Sequence, residues 1–287
     1  MAILEYTFKT DTLFKMLFVQ HPHLLKNLIS SLLGIPLESI GQFEITNPAI
    51  PPDNLGDKFC CLDINMIVNG QRVNLEIQVR STNYPERILY YWARDYSSSL
   101  PEGGKYENLP RTVIISIINF DQFKGRDFFH SEFRPLEVKR HELLSDKMSF
   151  HFFELQKLPE ETLDANNKLQ LWLSLFKAET EEELARIEAL EEPVMEQAIT
   201  AYKKITVTPE FREMERLRSK ARHDEASALF QEREEGRLEG KLEGKLEGER
   251  EKACSVARNA LAEGASVDFV QKITGLDLET IKSLGTI

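Results

Sequence analysis

Two acidic side chains, Asp63 and Glu76, are the residues best placed to do chemistry in the segment CLDINMIVNGQRVNLEIQVR (61–80). Between them, Asn69-Gly70 joins two apolar runs, a strong signal for a two-residue β-hairpin turn. With that turn as the register, Asp63 lies opposite Glu76, and we expect both on a face open to solvent. Like charges so placed destabilise a sheet by up to about 1 kcal/mol, so the pair requires a cation or a raised pKa.

A divalent metal ion is the cation that such a pair suits, because hard cations prefer oxygen ligands. Mg²⁺ is the expected ion, and Mn²⁺ or Ca²⁺ can take its place. Beside a phosphodiester, the ion can activate water and offset charge on the leaving oxygen. Ile77 can add only its backbone carbonyl as a ligand, and Gln78 follows on the same face as Glu76. The alternative is an exposed strand edge that binds no metal.

The surrounding pattern predicts an α/β sandwich that places this hairpin between helices. Helices are expected at 11–18 and 22–33 and again at 86–100, because their apolar residues recur at helical spacing. A strand at 112–120 is apolar on both faces, which is typical of a central strand covered on both sides. Further strands are expected at 43–46, 58–80 and 150–158. One hairpin face should enter the core; it carries Leu62, Ile64, Met66, Val68, Val73, Leu75, Ile77 and Val79.

An Asp on one strand followed by Glu76-Ile77-Gln78 on the next resembles the PD-(D/E)XK nuclease superfamily. Together with Asp11-x-x-Phe14-Lys15 and Arg87-x-x-Tyr90-Tyr91-Trp92, the pattern looks like the Rpn group, described as recombination-promoting nucleases or putative transposases. The resemblance covers about residues 1 to 160. It implies a metal-dependent DNA endonuclease with a restriction-endonuclease-like core, a mixed central sheet flanked by helices, followed by an α-helical C-terminal extension.

Carried across, the resemblance makes Asp63 and Glu76 metal ligands and places Gln78 where the superfamily usually has lysine. Glutamine can orient a water or a phosphate oxygen but cannot carry positive charge. Transition-state charge must then be met by the metal or by a displaced cation such as Lys15. Asp11, on the first helix, is a further candidate metal ligand.

Further along the chain than Glu76, three residues are candidates for contact with DNA. Arg80, Arg87 and Tyr91 could guide phosphate groups towards the carboxylates. Arginine and tyrosine on one helix are also commonly structural, and that alternative remains open.

The chain is expected to divide into a nuclease-like domain at 1–160, a helical extension at 161–233, a Leu-Glu-Gly repeat helix or linker at 234–252 and a small helical tail at 253–287. Helix breaks are expected near Glu179, Pro193 and Pro209. The tail should contain three short helices, which could form a helix-turn-helix, but its acidic residues do not suit phosphate contact.

The repeat from Gly236 to Gly248 has a period of four residues, so on a helix its leucines form a slowly winding stripe beside one basic and one acidic column. Within the repeat no Glu lies three or four residues from a Lys or Arg, so we expect neither column to have a partner within its own helix. We therefore expect a second helix to pair with it, either in a homodimer or from a separate C-terminal fragment of the same chain. A flexible charged linker is the alternative.

The amino-acid composition limits how the protein can bind DNA and where in the cell we expect it. A net charge of −11 argues against DNA binding through bulk positive charge, and three cysteines exclude a disulfide framework. No signal peptide or membrane span is expected, so the cytoplasm is the predicted location and no membrane partner is expected. Two other functions remain open: a catalytically weakened nuclease fold that acts as a DNA-binding or regulatory module, and a transposase.

Overall fold

The computed structural model describes residues 2–46, 49–50, 60–61, 63–81, 83–159 and 162–284. The chain divides into two compact units, residues 1–215 and residues 216–287. Among the described helices, none combines the length and apolarity needed to cross a membrane.

The first unit is built on a mixed sheet, as the resemblance implies, and this sheet has six strands, one more than the sequence predicts. Its strands are β1 (Phe43–Thr46), β4 (Ile64–Val68), β5 (Gln71–Gln78), β6 (Thr112–Ile118), β7 (His130–Phe133) and β8 (Met148–Glu154). They lie in the order β1-β4-β5-β6-β8-β7; β5, β6 and β8 are parallel, and the other neighbours are antiparallel. Strands β2 (Ala49–Ile50) and β3 (Cys60–Cys61) form a separate antiparallel pair.

The hairpin has the predicted register. Asn69 and Gly70 both have positive φ angles, 49° and 77°, as a type I′ turn requires, and pairs run from Val68↔Gln71 to Ile64↔Leu75. Strand β5 ends at Gln78, so Val79 leaves the sheet and is 48% exposed rather than buried in the core. Leu62 lies outside the described residues.

One face of the sheet packs against helices α1 (Asp11–Gln20) and α2 (Pro22–Leu33), and α4 (Lys168–Lys177), α5 (Glu181–Glu188) and α6 (Pro193–Thr206) belong to the same core. Both opening helices are therefore confirmed. Gly34 ends α2 with a φ of 63°, which favours glycine. The buried Trp172 donates a hydrogen bond to Asn27 Oδ1 at 3.0 Å, which links α4 to α2.

Helix α3 (Tyr84–Ser98) covers the opposite face through a mixed apolar and polar contact. Asp95, which is fully buried, accepts hydrogen bonds from Arg72 Nε and Asn74 Nδ2, both at 2.9 Å. These bonds tie the C-terminal half of α3 to the start of β5. The first turn of α3 lies near the other end of that strand: the Tyr84 ring is 6.3 Å from that of Phe152, which shares a row of the sheet with Glu76.

The predicted boundary at residue 160 does not separate two bodies. Trp172, Ile199 and Phe211 are fully buried in the same core as α1 and α2. Because the helices between residues 168 and 206 are amphipathic, their apolar faces complete the sheet's core rather than a second one. The predicted breaks between these helices are confirmed, and helix α7 (Pro209–Ala262) contains the division between the two units.

In the second unit, the rest of α7 is followed by α8 (Val267–Thr274) and α9 (Leu278–Leu284). Ala257, Val270 and Ile281 form its small buried cluster. Ser266 caps α8 by accepting a hydrogen bond from the Phe269 amide, as its position before the helix predicts.

The Leu-Glu-Gly repeat is helical, and its leucines Leu238, Leu242 and Leu246 are exposed. The expectation that its basic column lacks any partner within the helix is wrong at two positions. Arg237 pairs with Glu234 at 2.9 Å and Lys245 with Glu249 at 3.9 Å. Both acids lie just outside the repeat, three residues from Arg237 and four residues from Lys245, which are spacings that allow ion pairs on a helix.

Candidate active site

Asp63 and Glu76 meet where β4 begins and β5 ends, on neighbouring strands as the hairpin register predicts. The Asp63 amide donates a hydrogen bond to Glu76 Oε1 at 2.9 Å. In return, the Ile77 amide donates to Asp63 Oδ2, also at 2.9 Å. Each carboxylate is thus fixed by the backbone of the opposite strand, so the two acids hold each other in place.

The pair is less open to solvent than the sequence suggests. Glu76 is only 5% exposed and the Asp63 side chain 15%, because helix α3 covers this face. Burial, and next the charge of Asp63, raise the pKa of Glu76 to about 8, although the hydrogen bond from the Asp63 amide and the cations Arg87 and Lys15 partly oppose the shift. An acid held neutral by burial and by a like charge is typical of sites that bind cations or transfer protons.

Lys15 lies beside this pair, at the position of the displaced cation that the sequence suggests. Its Nζ is 3.0 Å from Asp63 Oδ1 and 3.0 Å from Asp11 Oδ1. Asp11 and Lys15 are one turn apart on α1, so the helix presents both to the end of the sheet. The side chains of Asp11, Lys15, Asp63 and Glu76 therefore form one cluster, which we call the carboxylate site.

Gln78 lies on β5 beyond Glu76, but its amide turns towards the end of its own strand. Gln78 Nε2 donates a hydrogen bond to the Arg80 carbonyl at 2.8 Å. Arg80 itself is exposed. The role of Gln78 in orienting water or phosphate, and that of Arg80 in binding DNA, remain predictions.

Arg87 interacts electrostatically with Glu76, which its place on a helix alone does not indicate. Its guanidinium carbon lies 4.9 Å from the centre of the Tyr84 ring and 5.9 Å from that of Tyr91. Its positive charge lowers the pKa of Glu76 against the larger effect of burial. Arg87 thus belongs to the electrostatic environment of the site, and Tyr91 contacts the site through Arg87.

Sequence reasoning missed two buried hydroxyls next to Glu76. Ser116 faces Glu76 in the parallel register of β5 and β6, and Tyr84 starts α3 above them. Burial, and next the carboxylate of Glu76, raise the pKa of Tyr84. The Ser116 hydroxyl interacts with that of Tyr84 and partly opposes this shift. Among the described residues, neither hydroxyl has a hydrogen-bond partner of normal length and angle. The signal for Ser116 was available: it is the one polar residue inside TVIISII, a strand otherwise apolar after its first residue.

The donor set fits a hard divalent cation. Mg²⁺ is usually held by one or two carboxylates and keeps several waters, and Asp63 with Glu76 provides such a pair. A cation between them would also offset the repulsion that raises the pKa of Glu76. In the part of the chain that the structure describes, no group of three or more His, Cys, Asp or Glu side chains could hold a metal ion. Asp11 and the Ile77 carbonyl therefore remain predicted ligands.

The raised pKa of Glu76 predicts that the metal-free protein loses stability as the pH rises. Its pKa changes from 4.5 to about 8, so between these values the folded state retains a proton that the unfolded state releases. The free energy of unfolding therefore falls across this window. Glu76→Gln cannot ionise, and its thermal unfolding midpoint in EDTA should fall less from about pH 5 to about pH 9.

Glu44→Gln is the matched control, since Glu44 is an exposed glutamate of the same sheet, on β1. Parallel pH profiles for Glu76→Gln and the unmodified protein would contradict the burial argument.

A mixed sheet with helices on both faces, and two carboxylates fixed across a hairpin at its end, defines a PD-(D/E)XK-type nuclease fold. The model of the family described as PD-(D/E)XK nuclease family transposase matches residues 8–232. The chain belongs to this family, which confirms the resemblance seen in its sequence and makes it a nuclease-type protein. No curated protein and no solved structure matches it.

Proposed function

We propose that this protein is a Mg²⁺-dependent endonuclease that hydrolyses phosphodiester bonds in DNA. The observation that carries the proposal is the pair of interlocked carboxylates with an ammonium group 3.0 Å from one of them. Membership of a nuclease family supports the reaction type.

In this proposal, Asp63 and Glu76 hold the ion, with Asp11 and the carbonyl of Ile77 as candidate further ligands. When bound, Mg²⁺ would activate a water and offset charge on the leaving oxygen; Mn²⁺ or Ca²⁺ could bind the same oxygens. Lys15 provides the positive charge that Gln78 lacks, because its ammonium reaches Asp63 from helix α1. Such a fixed cation stabilises a phosphate that gains negative charge in the transition state.

Arg80, Arg87 and Tyr91 are proposed to hold the DNA backbone near the carboxylate site. Arg87 lies over the Tyr84 and Tyr91 rings, which hold its guanidinium beside the first turns of α3. Phosphate contacts of this kind position the substrate without reading its sequence.

The direct experiment is incubation of the purified protein with supercoiled plasmid, with Mg²⁺ or with EDTA. Nicked or linear plasmid that forms only with the metal is the expected result. Intact plasmid with Mg²⁺, together with a measurable affinity for the same DNA, would favour the second candidate function.

That second candidate is a catalytically weakened nuclease fold that binds or regulates DNA. It is favoured by one observation: Gln78 replaces the usual lysine, and its amide is occupied by the Arg80 carbonyl. The retained acid pair and the nearby Lys15 favour the enzyme instead.

For the biological setting we propose DNA recombination or phage defence in the cytoplasm. Transposition is the alternative, supported by the family's description as transposases. A strand-transfer assay with labelled DNA ends distinguishes transposition from nuclease action alone. Joined products would indicate transposition, and cut products without joining would indicate a nuclease.

We further propose that the Leu-Glu-Gly helix holds two copies of the chain together. Its three exposed leucines can form the seam of a helix pair, and Lys241, in the middle of the repeat, is an exposed cation beside them. Each exposed ion pair contributes only about 0.2–1 kcal/mol, so the association should weaken with salt.

Light scattering should therefore give a dimer mass for the full chain and a monomer mass for a chain ending before Glu235. Full-length Leu238→Ser/Leu242→Ser/Leu246→Ser should also be monomeric, whereas the same number of exposed-lysine changes, Lys139→Ser/Lys124→Ser/Lys105→Ser, should remain dimeric. A separate fragment from Met195 to the C-terminus should bind the full chain. Equal monomeric masses for the full and shortened chains would show that the helix does not mediate assembly.

A further inference from the structure

An apolar cleft of about 380 Å³ lies where α3 faces strands β7 and β8. Two of its rings pack edge to face on Phe152, Phe123 at 5.2 Å and Phe133 at 5.7 Å. Phe133 is 44% exposed and Leu89 50%, so solvent reaches both walls of the cleft. Exposed apolar surface collected in a concave site marks binding rather than core packing.

The cleft lies on the same face of the sheet as the carboxylate site. Glu76, Ser116 and Phe152 occupy one row across β5, β6 and β8. Since neighbouring strands are about 4.8 Å apart, Phe152 lies about 10 Å from Glu76 along that row. The Tyr84 ring, 6.3 Å from that of Phe152, stands between the two. The cleft and the carboxylates therefore border the same first turn of α3.

Exposed cations flank the aromatic walls. Lys124 and Arg126 follow Phe123 in an exposed turn, and Arg134 follows Phe133 at the end of β7. Aromatic rings beside basic side chains suit an unpaired nucleotide, because its base can stack on a ring while its phosphate meets a cation. Among the residues that line the cleft, Arg134 is the cation, and it also forms an ion pair with Glu132 at 2.6 Å; Lys124 and Arg126 lie beside the lining.

We propose that this cleft binds an unpaired base of the DNA substrate, a few nucleotides from the bond that is cut. The inference rests on the proposed nuclease function and names its substrate class. A span of about 10 Å corresponds to about three nucleotides at the axial rise of about 3.4 Å of a strand in a duplex. In a duplex the base faces are stacked, so the cleft favours DNA whose bases are already free, such as a bulge, a flap or a single strand.

The test is a binding measurement on the full chain in EDTA, so that no cleavage occurs. Two duplexes of one sequence are compared, one fully paired and one with a bulge of unpaired bases that includes 2-aminopurine. The protein should bind the bulged duplex about 10-fold more tightly and change its fluorescence, because each stacked base adds substantial affinity. Replacing the bulged bases with abasic sites should remove the preference.

Phe133→Ala should also remove the preference for the bulge, while Phe128→Ala should retain it. Phe128 is 73% exposed and does not line the cleft, so the pair controls for loss of an exposed ring. Leu89→Ser changes the opposite wall of the cleft and should also remove the preference for the bulge, so it tests the proposal even if Phe133→Ala fails to fold. Equal affinity for both duplexes, or preference unaffected by both wall variants, would overturn the proposal.

Two further results separate this inference from its alternatives. If Phe133→Ala turns a dimer into a monomer in light scattering and leaves the bulge preference unchanged, the cleft is an interface between copies, and the proposal fails. If no DNA is cut with Mg²⁺ while the bulge preference depends on Phe133, the nuclease function fails and the base-binding cleft stands.

Discussion

Asp63→Asn is expected to reduce Mg²⁺-dependent DNA cleavage by about 1,000-fold or more. The proposed ion contributes several kcal/mol of charge stabilisation, and each 1.36 kcal/mol corresponds to a factor of ten in rate. Asparagine keeps the shape of the side chain and an oxygen that can accept the hydrogen bond from the Ile77 amide. The substitution removes the negative charge that would attract the metal ion and that attracts the Lys15 ammonium.

The folded state of Asp63→Asn should remain stable in EDTA, because the substitution relieves the repulsion that raises the pKa of Glu76. Asp63→Ala should lose the same activity but leaves the Ile77 amide without its acceptor, at a cost of about 1–3 kcal/mol. Calorimetry with Mg²⁺ or Ca²⁺ should show weakened ion binding in both variants.

Asp146→Asn is the matched control, since Asp146 is exposed and precedes β8 at the opposite end of the sheet. Full cleavage by Asp63→Asn, with thermal stability equal to that of the control, would mean that the hairpin carboxylates are not the active site.

The acid pair could be predicted because its geometry is local. Asn69-Gly70 fixes both the turn and the register, and the register alone places Asp63 beside Glu76. The strongly periodic helices at the start of the chain were predictable for the same reason.

Burial of the site was not predictable, because it depends on contacts far apart in sequence. Helix α3 covers Glu76 because Asp95 binds Arg72 and Asn74 on β5 and because the apolar residues of α3 pack on β6 and β8. Ser116 faces Glu76 only through the parallel pairing of β5 and β6, whose register no turn determines.

Strand β7 was missed for another reason: its sequence, His-Ser-Glu-Phe, shows no alternation of apolar and polar residues. The boundary at residue 160 was misplaced because the sequence of an amphipathic helix identifies its apolar face but not the surface against which that face packs. Helices α4, α5 and α6 pack in the same core as α1, α2 and the sheet.

Lys15→Gln is expected to slow cleavage by about 100- to 1,000-fold while DNA binding changes little. Lys15 is the one lysine shown to contact the carboxylate pair in the described part of the chain, and loss of a fixed donor at a developing charge has an effect of this size. Gln78→Ala should lower the rate less than Lys15→Gln, because the Gln78 amide already binds the Arg80 carbonyl. Single-turnover rates and DNA affinities, measured separately, distinguish the two effects.

The decisive variant moves the cation from the helix to the strand. Gln78→Lys alone should remain active, and Lys15→Gln/Gln78→Lys should recover much of the rate that Lys15→Gln loses, because position 78 follows Glu76 on the same face of β5. Lys26→Gln, which changes a lysine on neighbouring helix α2, controls for loss of charge alone. A double variant as slow as Lys15→Gln, with Gln78→Lys fully active, would show that Lys15 acts by holding Asp11 and Asp63 rather than as the missing lysine of the superfamily.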